Sequence, residues 1–96
     1  MSLNLCCLLW AYPGQEAALA DYEDRVLALL PEHGATLVSR VRSDGTSGHP
    51  LEVQLFEFPS QASLDAYLAD PRRAALSAAR DAAVARTELM DVTPIS

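Results

Sequence analysis

The chain contains no lysine. Its seven basic residues are all arginines, they face thirteen acidic residues, and the formal net charge is -6. A field of that sign repels polyanions. Non-specific nucleic-acid binding draws on phosphate contacts, and apart from the pairs Arg40/Arg42 and Arg72/Arg73 the arginines are scattered, so no nucleic-acid partner is expected. All-arginine basicity with abundant alanine fits a GC-rich bacterial source. Long apolar runs are also missing. The longest, Leu5 to Tyr12, falls well short of the roughly 18 residues a spanning helix needs, so no membrane partner is expected. The N-terminal residues MSLNLCCLLW lack the positive region and small-residue cleavage site of a secretory signal, which points to the cytoplasm.

Cysteine and histidine are scarce. Cys6 and Cys7 are adjacent, so on a strand they point to opposite faces and cannot staple distant segments. They read as inert thiols rather than a redox pair. The two histidines, His33 and His49, belong to different segments, and metal sites want spaced Cys/His ligands, so no metal is expected. At 96 residues the chain makes one domain, residues 1–96. A chain of that size buries only about 60 to 65% of its unfolded surface and gains from a partner subunit.

What is present alternates between two periods. Leu3 to Ala11 is apolar on both alternating sets, as a central strand reads. After Pro13-Gly14, Leu19, Tyr22, Val26, Leu29 and Leu30 recur at helical spacing, with Glu16, Asp21, Glu23 and Asp24 placed off that face. This helix is expected to end near Glu32, with Gly34 as its left-handed cap. Ala35 to Ser43 alternates again, with Leu37 and Val41 on one side and Thr36, Val38, Arg40 and Arg42 on the other. A third strand begins at Leu51, and the loop around Ser47 makes the two an antiparallel hairpin. Centring it there sets Val41 opposite Val53, Ser39 opposite Leu55, Arg42 opposite Glu52 and Arg40 opposite Gln54. Ser60 caps a second helix. Asp70-Pro71 steps it, Ala74 to Ala85 continues it, and Thr87 to Ile95 closes the chain as an edge strand.

The order strand, helix, strand, strand, helix, strand is the ferredoxin-like βαββαβ arrangement, an α+β fold with a four-stranded antiparallel sheet and two helices on one face. By the alternation, the other face carries Arg40, Arg42, Glu52, Gln54, Phe56 and Phe58. That face is too apolar in part to stay in water, and a second copy of the chain is the expected cover, so these six residues are the expected homodimer interface.

The junction Glu57-Phe58-Pro59-Ser60, followed by Tyr67, Asp70-Pro71 and Arg80, resembles a small bacterial family of unknown function in the dimeric α/β-barrel superfamily. Tyr22 and the Gly34 to Arg40 segment extend the likeness at low stringency. Antibiotic-biosynthesis monooxygenases share this barrel more distantly. The resemblance implies a homodimer with sheets packed face to face. The sequence departs from the family pattern at Ala35, at Arg72 and Arg73, and at Pro13-Gly14.

No assembled catalytic constellation is visible, so the sequence names no reaction or substrate. Arg80 can hold a carboxylate or enolate oxygen in its planar fork; a structural ion pair with Glu57 is the competing reading. Tyr22 and Tyr67 can offer hydroxyls to a cavity between helices and sheet, or simply pack. Trp10 can line an apolar pocket for a planar ligand, as the resemblance to cofactor-free oxygenases implies. His49 is the better general-base candidate of the two histidines, against an idle loop residue. One expectation is therefore a pocket lined by Trp10, Tyr22, Tyr67 and Arg80 that binds or transforms a small apolar or aromatic metabolite, monooxygenase- or isomerase-like, without metal or organic cofactor. The alternative is a non-catalytic structural or regulatory dimer module.

Overall fold

The computed structural model describes residues 2–95; the ends of the expected 1–96 domain, residues 1 and 96, lie outside the described residues. The order of elements is β1 (Leu3–Ala11), α1 (Glu16–Leu27), a 3-10 turn (Leu30–His33), β2 (Thr36–Arg42), a second 3-10 turn (Thr46–Gly48), β3 (Glu52–Phe58), α2 (Gln61–Leu68), α3 (Pro71–Ala74), α4 (Ser77–Ala83) and β4 (Val84–Asp91). The four strands form one antiparallel sheet in the order β2-β3-β1-β4. This is the expected βαββαβ arrangement, with β1 inside the sheet and β4 at an edge.

Local chemistry explains most boundaries. Pro31 has no N–H to give, so the helical ladder stops at Leu27 rather than near Glu32, and a 3-10 turn follows. Gly34 ends it in the left-handed region at φ +70°, where a side chain would also meet Pro59. Ser60 caps α2 by accepting from the Ser63 amide at 3.1 Å. Asp70 caps α3 by accepting from the Arg72 amide at 2.8 Å, with Pro71 in the first helical position. The run Ala74 to Ala85 is not continuous: it breaks at Ala75 and Leu76, resumes as α4, and gives way at Val84, so β4 starts three residues before Thr87. Val84 is β-branched and pairs with Ala11 beyond a bulge that leaves Ala85 of β4 without a partner on β1.

The β2-β3 register is the expected one, with Val41 opposite Val53, Ser39 opposite Leu55, Arg42 opposite Glu52 and Arg40 opposite Gln54. Its orientation is reversed. Glu52, Gln54, Phe56 and Phe58 are all buried, and with Leu5, Cys7 and Leu9 they form the sheet face that lies under the helices. They are therefore not available as an outward interface. The outward face carries Val41 and Leu55, at 55% and 38% exposed, with Cys6, Leu8 and Trp10 half-buried beside them. A bulge between Leu37 and Ser39 takes Val38 out of the pairing and puts Leu37 opposite Phe56, so Leu37 and Val41 do not share a face.

Burial of two charged or polar strand residues is possible because each is satisfied. Arg40 donates to both Glu52 oxygens, at 2.7 and 2.9 Å, and to Asp24 Oδ1 and the Ala20 carbonyl of α1. Gln54 Nε2 donates to Glu52 Oε1 and to Glu23 Oε1. Around this network pack Leu19, Val26, Leu30 and Phe58, all at 1% exposure or less. Side chains of this kind contribute about 1.5 to 3 kcal/mol each when fully buried.

Candidate functional site

The α1, α2, α3 and α4 segments do not close completely on the sheet. Between them lies a cavity of about 200 Å³. The sheet contributes Cys7, Leu9, Gln54, Phe56, Thr87 and Leu89 to its walls, α1 contributes Tyr22, Glu23 and Leu27, and α2 contributes Leu64, Tyr67 and Leu68. Arg73 of α3 and Arg80 of α4 complete it. Leu89 belongs to the inner face through its pairing with Cys7, yet it is 44% exposed, and Thr87 and Arg80 are exposed too, so the cavity opens on the β4 side.

Three of the four expected pocket residues meet here. Tyr22 and Tyr67 are buried, and burial pushes both phenols up, Tyr67 to about 12. Tyr67 donates its hydroxyl to the Val26 carbonyl at 3.0 Å, and its ring is 5.4 Å from Phe58 and 5.7 Å from His33, centroid to centroid. It is chiefly a wall. Arg80 reaches the rim, with Nη2 3.5 Å from Thr87 Oγ1. Among the described residues it makes no ion pair, with Glu57 or any other carboxylate.

Trp10 is elsewhere. Strand alternation turns it to the outward face, where its Nε1 donates to the Gly48 carbonyl at 2.9 Å and the Arg86 guanidinium lies 4.5 Å from its ring centre. It lines a separate hollow of about 130 Å³ that also contains His49, Glu16 and Asp44. His33 has a structural setting: Nε2 contacts Asp70 Oδ2 at 2.8 Å, and Arg72 bridges Asp70 to Glu32. Its partners hold Asp70 well below the usual carboxylate range, chiefly through the Arg72 side chain and then His33.

Among the polar residues that the expected pocket omits are Gln54, Arg73 and Glu23. Glu23 is 5% exposed, and burial pushes its carboxyl up; the hydrogen bond from Gln54 works against that, and the nearby Glu52 charge works with it. Oε1 accepts from Gln54 Nε2 at 2.9 Å. Among the described residues no hydrogen bond reaches Oε2 of Glu23; since every fully buried side-chain nitrogen or oxygen there has a partner, Oε2 is not fully enclosed, and the space that Glu23 borders is the cavity. A signal was present in the sequence: Glu23 stands between Leu19 and Leu27 in a row of spacing four, on the buried side of α1. Placing it off the apolar face is corrected by this burial.

The chemistry this arrangement supports is proton transfer. A carboxyl with a raised pKa in a mostly apolar cavity exchanges a proton closer to neutral pH than an exposed one does. Thiolate chemistry is disfavoured, because burial first and then the Glu23 charge push the Cys7 thiol up to about 12. Among the described residues no group of three or more His, Cys, Asp or Glu side chains is placed to hold a metal ion. Nor is any helix there long and apolar enough to cross a membrane.

No family model and no curated protein matches the sequence. Solved structures do match. RPA0582, a protein of unknown function from Rhodopseudomonas palustris, superposes with a TM-score of 0.78 at 20% identity, covering 99% of this chain and 83% of that one. A dabb family protein with a ferredoxin-like fold from Mesorhizobium loti gives 0.69 at 17% identity, covering 99% and 98%. A dimeric protein of unknown function and ferredoxin-like fold from Bacteroides fragilis gives 0.70 at 11% identity, covering 95% and 94%. At these identities the likeness is one of architecture, and with the four-stranded antiparallel sheet and its order it shows that the chain has the ferredoxin-like fold.

Proposed function

We propose that the cavity between the helices and the sheet binds a small, largely apolar metabolite, and that Glu23 exchanges a proton with it. The observation that carries this reading is the Glu23 carboxyl itself: buried, raised in pKa, fixed through one oxygen by Gln54 and open to the cavity through the other. The apolar walls orient the molecule, and its own carbon acidity supplies the reactivity. Proton abstraction next to a carbonyl is the first step of isomerase-like chemistry and, where the resulting carbanion meets oxygen, of monooxygenase-like chemistry. Neither requires a metal or organic cofactor.

A direct test incubates the protein in deuterated water with a panel of aromatic 1,3-dicarbonyl compounds and unsaturated lactones, and follows deuterium incorporation by proton NMR. Wild type is expected to accelerate exchange in at least one member, and Glu23→Gln, which keeps the acceptor for Gln54, is expected to abolish it. Equal acceleration by the two proteins, or none by either, overturns the role given to Glu23.

The second reading, a non-catalytic dimer module, draws on a different observation: the outward sheet face, where Val38, Val41, Leu55 and Met90 are exposed at between 38% and 63%. We infer that a second copy of the chain covers this face, with the two sheets packed against each other. The description of the Bacteroides fragilis protein as dimeric supports that assembly. Such a dimer is compatible with a ligand-binding cavity, since the cavity and the outward face lie on opposite sides of the sheet; the absence of catalysis is what separates the second reading from the first.

A further inference from the structure

The arginines sort into two groups. Arg25, Arg40, Arg42, Arg72 and Arg86 each lie within 4 Å of a carboxylate oxygen, at distances from 2.5 to 3.6 Å. Arg73 and Arg80 do not, among the described residues, and both line the cavity. In a chain with thirteen acidic residues and seven arginines, two guanidinium charges in the wall of one cavity are left without a neutralising carboxylate; among the described residues Arg73 has only the Tyr67 ring and Arg80 only the Thr87 hydroxyl beside it. They also address the same space. The charges of both reach the Cys7 thiol and the Tyr22 phenol, which sit on opposite walls, one on the sheet and one on α1. Arg73 is half-buried, with its guanidinium carbon 4.5 Å from the Tyr67 ring centre, while Arg80 is exposed at the mouth.

From this distribution we infer that the ligand of the cavity is a small organic anion, a monocarboxylate with an apolar body, whose carboxylate sits between Arg73 and Arg80. The inference rests on the reading of the cavity as a binding site and names the class of molecule that fills it. A guanidinium matches a carboxylate with paired, charge-assisted hydrogen bonds. The net charge of the whole protein opposes an approaching anion, so recognition depends on these two local cations. Behind them, Leu9, Leu27, Phe56 and Leu64 take the apolar body, and Glu23 with Gln54 lies on the buried side to meet a polar atom at its far end. The cavity is thus graded from a cationic rim to an interior that holds one carboxyl. A neutral ligand of the same shape uses only the second half of that gradient.

The experiment compares benzoate, phenylacetate, cinnamate and hexanoate with their methyl esters, by thermal shift and calorimetric titration against wild type, Arg73→Gln, Arg80→Gln and Arg25→Gln. Arg25 pairs with Asp21 away from the cavity and serves as the control. At least one acid is expected to raise the melting temperature, with its ester binding about tenfold more weakly or worse. Arg73→Gln and Arg80→Gln are expected to weaken the acid by a similar factor, and Arg25→Gln to leave it unchanged. Equal binding of acid and ester, or wild-type affinity in both cavity variants, overturns the anion assignment while leaving the cavity an occupied site. If no acid and no ester binds, the assignment falls together with the binding-site reading beneath it.

Discussion

Glu23 illustrates how one side chain connects stability with chemistry. Because burial raises its pKa, the folded chain holds this proton more tightly than the unfolded chain does. The stabilisation is complete below the unfolded value of about 4.3 and is lost as pH rises through the folded value. Glu23→Gln removes the titration and keeps the acceptor for Gln54. The melting temperature of Glu23→Gln minus that of wild type is therefore expected to grow as pH rises from about 4 and then level off; thermal melts across the pH range measure it, and a flat or falling difference contradicts the account. Asp70 acts with the opposite sign, since its partners lower its pKa and its contribution disappears as pH falls. Comparing variant with wild type at each pH cancels that background. Tyr22 and Tyr67 were legible as members of a pocket because each stands on the sheet-facing stripe of its helix, whereas Arg80, exposed at the mouth, was singled out by the family resemblance. Glu23 was not, because charge was read as exposure although its neighbours in the Leu19-Leu27 row argue otherwise.

Between elements, Arg40 is the principal tie. From β2 it reaches Glu52 on β3 and both Asp24 and the Ala20 carbonyl on α1. Arg40→Ala leaves the Glu52 carboxylate, 1% exposed, without its main partner. A loss of about 3 to 5 kcal/mol is expected, the usual cost of stranding one member of a buried pair, to be read from urea unfolding. A loss below about 1 kcal/mol would mean that Arg42, 3.6 Å from Glu52, compensates. The four cross-strand pairs of β2 and β3 were legible because apolar and oppositely charged partners fall into line together. Which side of that ribbon meets the helices was not legible. Each alternating set mixes apolar with polar residues, and the preference is decided by a network that includes Glu23 on another element. The bulge at Val38 added to this by breaking the alternation inside β2. The caps at Ser60 and Asp70 were readable from single residues, whereas the break at Leu76 lies in an alanine-rich run with no proline or glycine to mark it.

At the scale of the molecule, the sheet separates two surfaces, with the cavity on its helical side and an exposed apolar field on the other. If a second copy covers that field, sedimentation velocity is expected to find wild type as a dimer and Val41→Glu/Leu55→Glu as a monomer with the same helix content. A dimer that survives both substitutions removes the outward face as the interface. The size of the chain makes the outcome matter for stability as well, since a domain this short gains from every surface it can bury. The bulge at Val38 has a further effect on assembly. β2 and β4 are the two margins of the sheet, and a straight margin is a template onto which foreign strands can add without limit. Val38 interrupts that template on β2, where Arg40 and Arg42 follow it, and Arg86 and Glu88 punctuate β4 with charge. The sheet is thereby guarded against growing sideways into fibres, which leaves its broad face as the surface on which the proposed two-fold pair would close and stop.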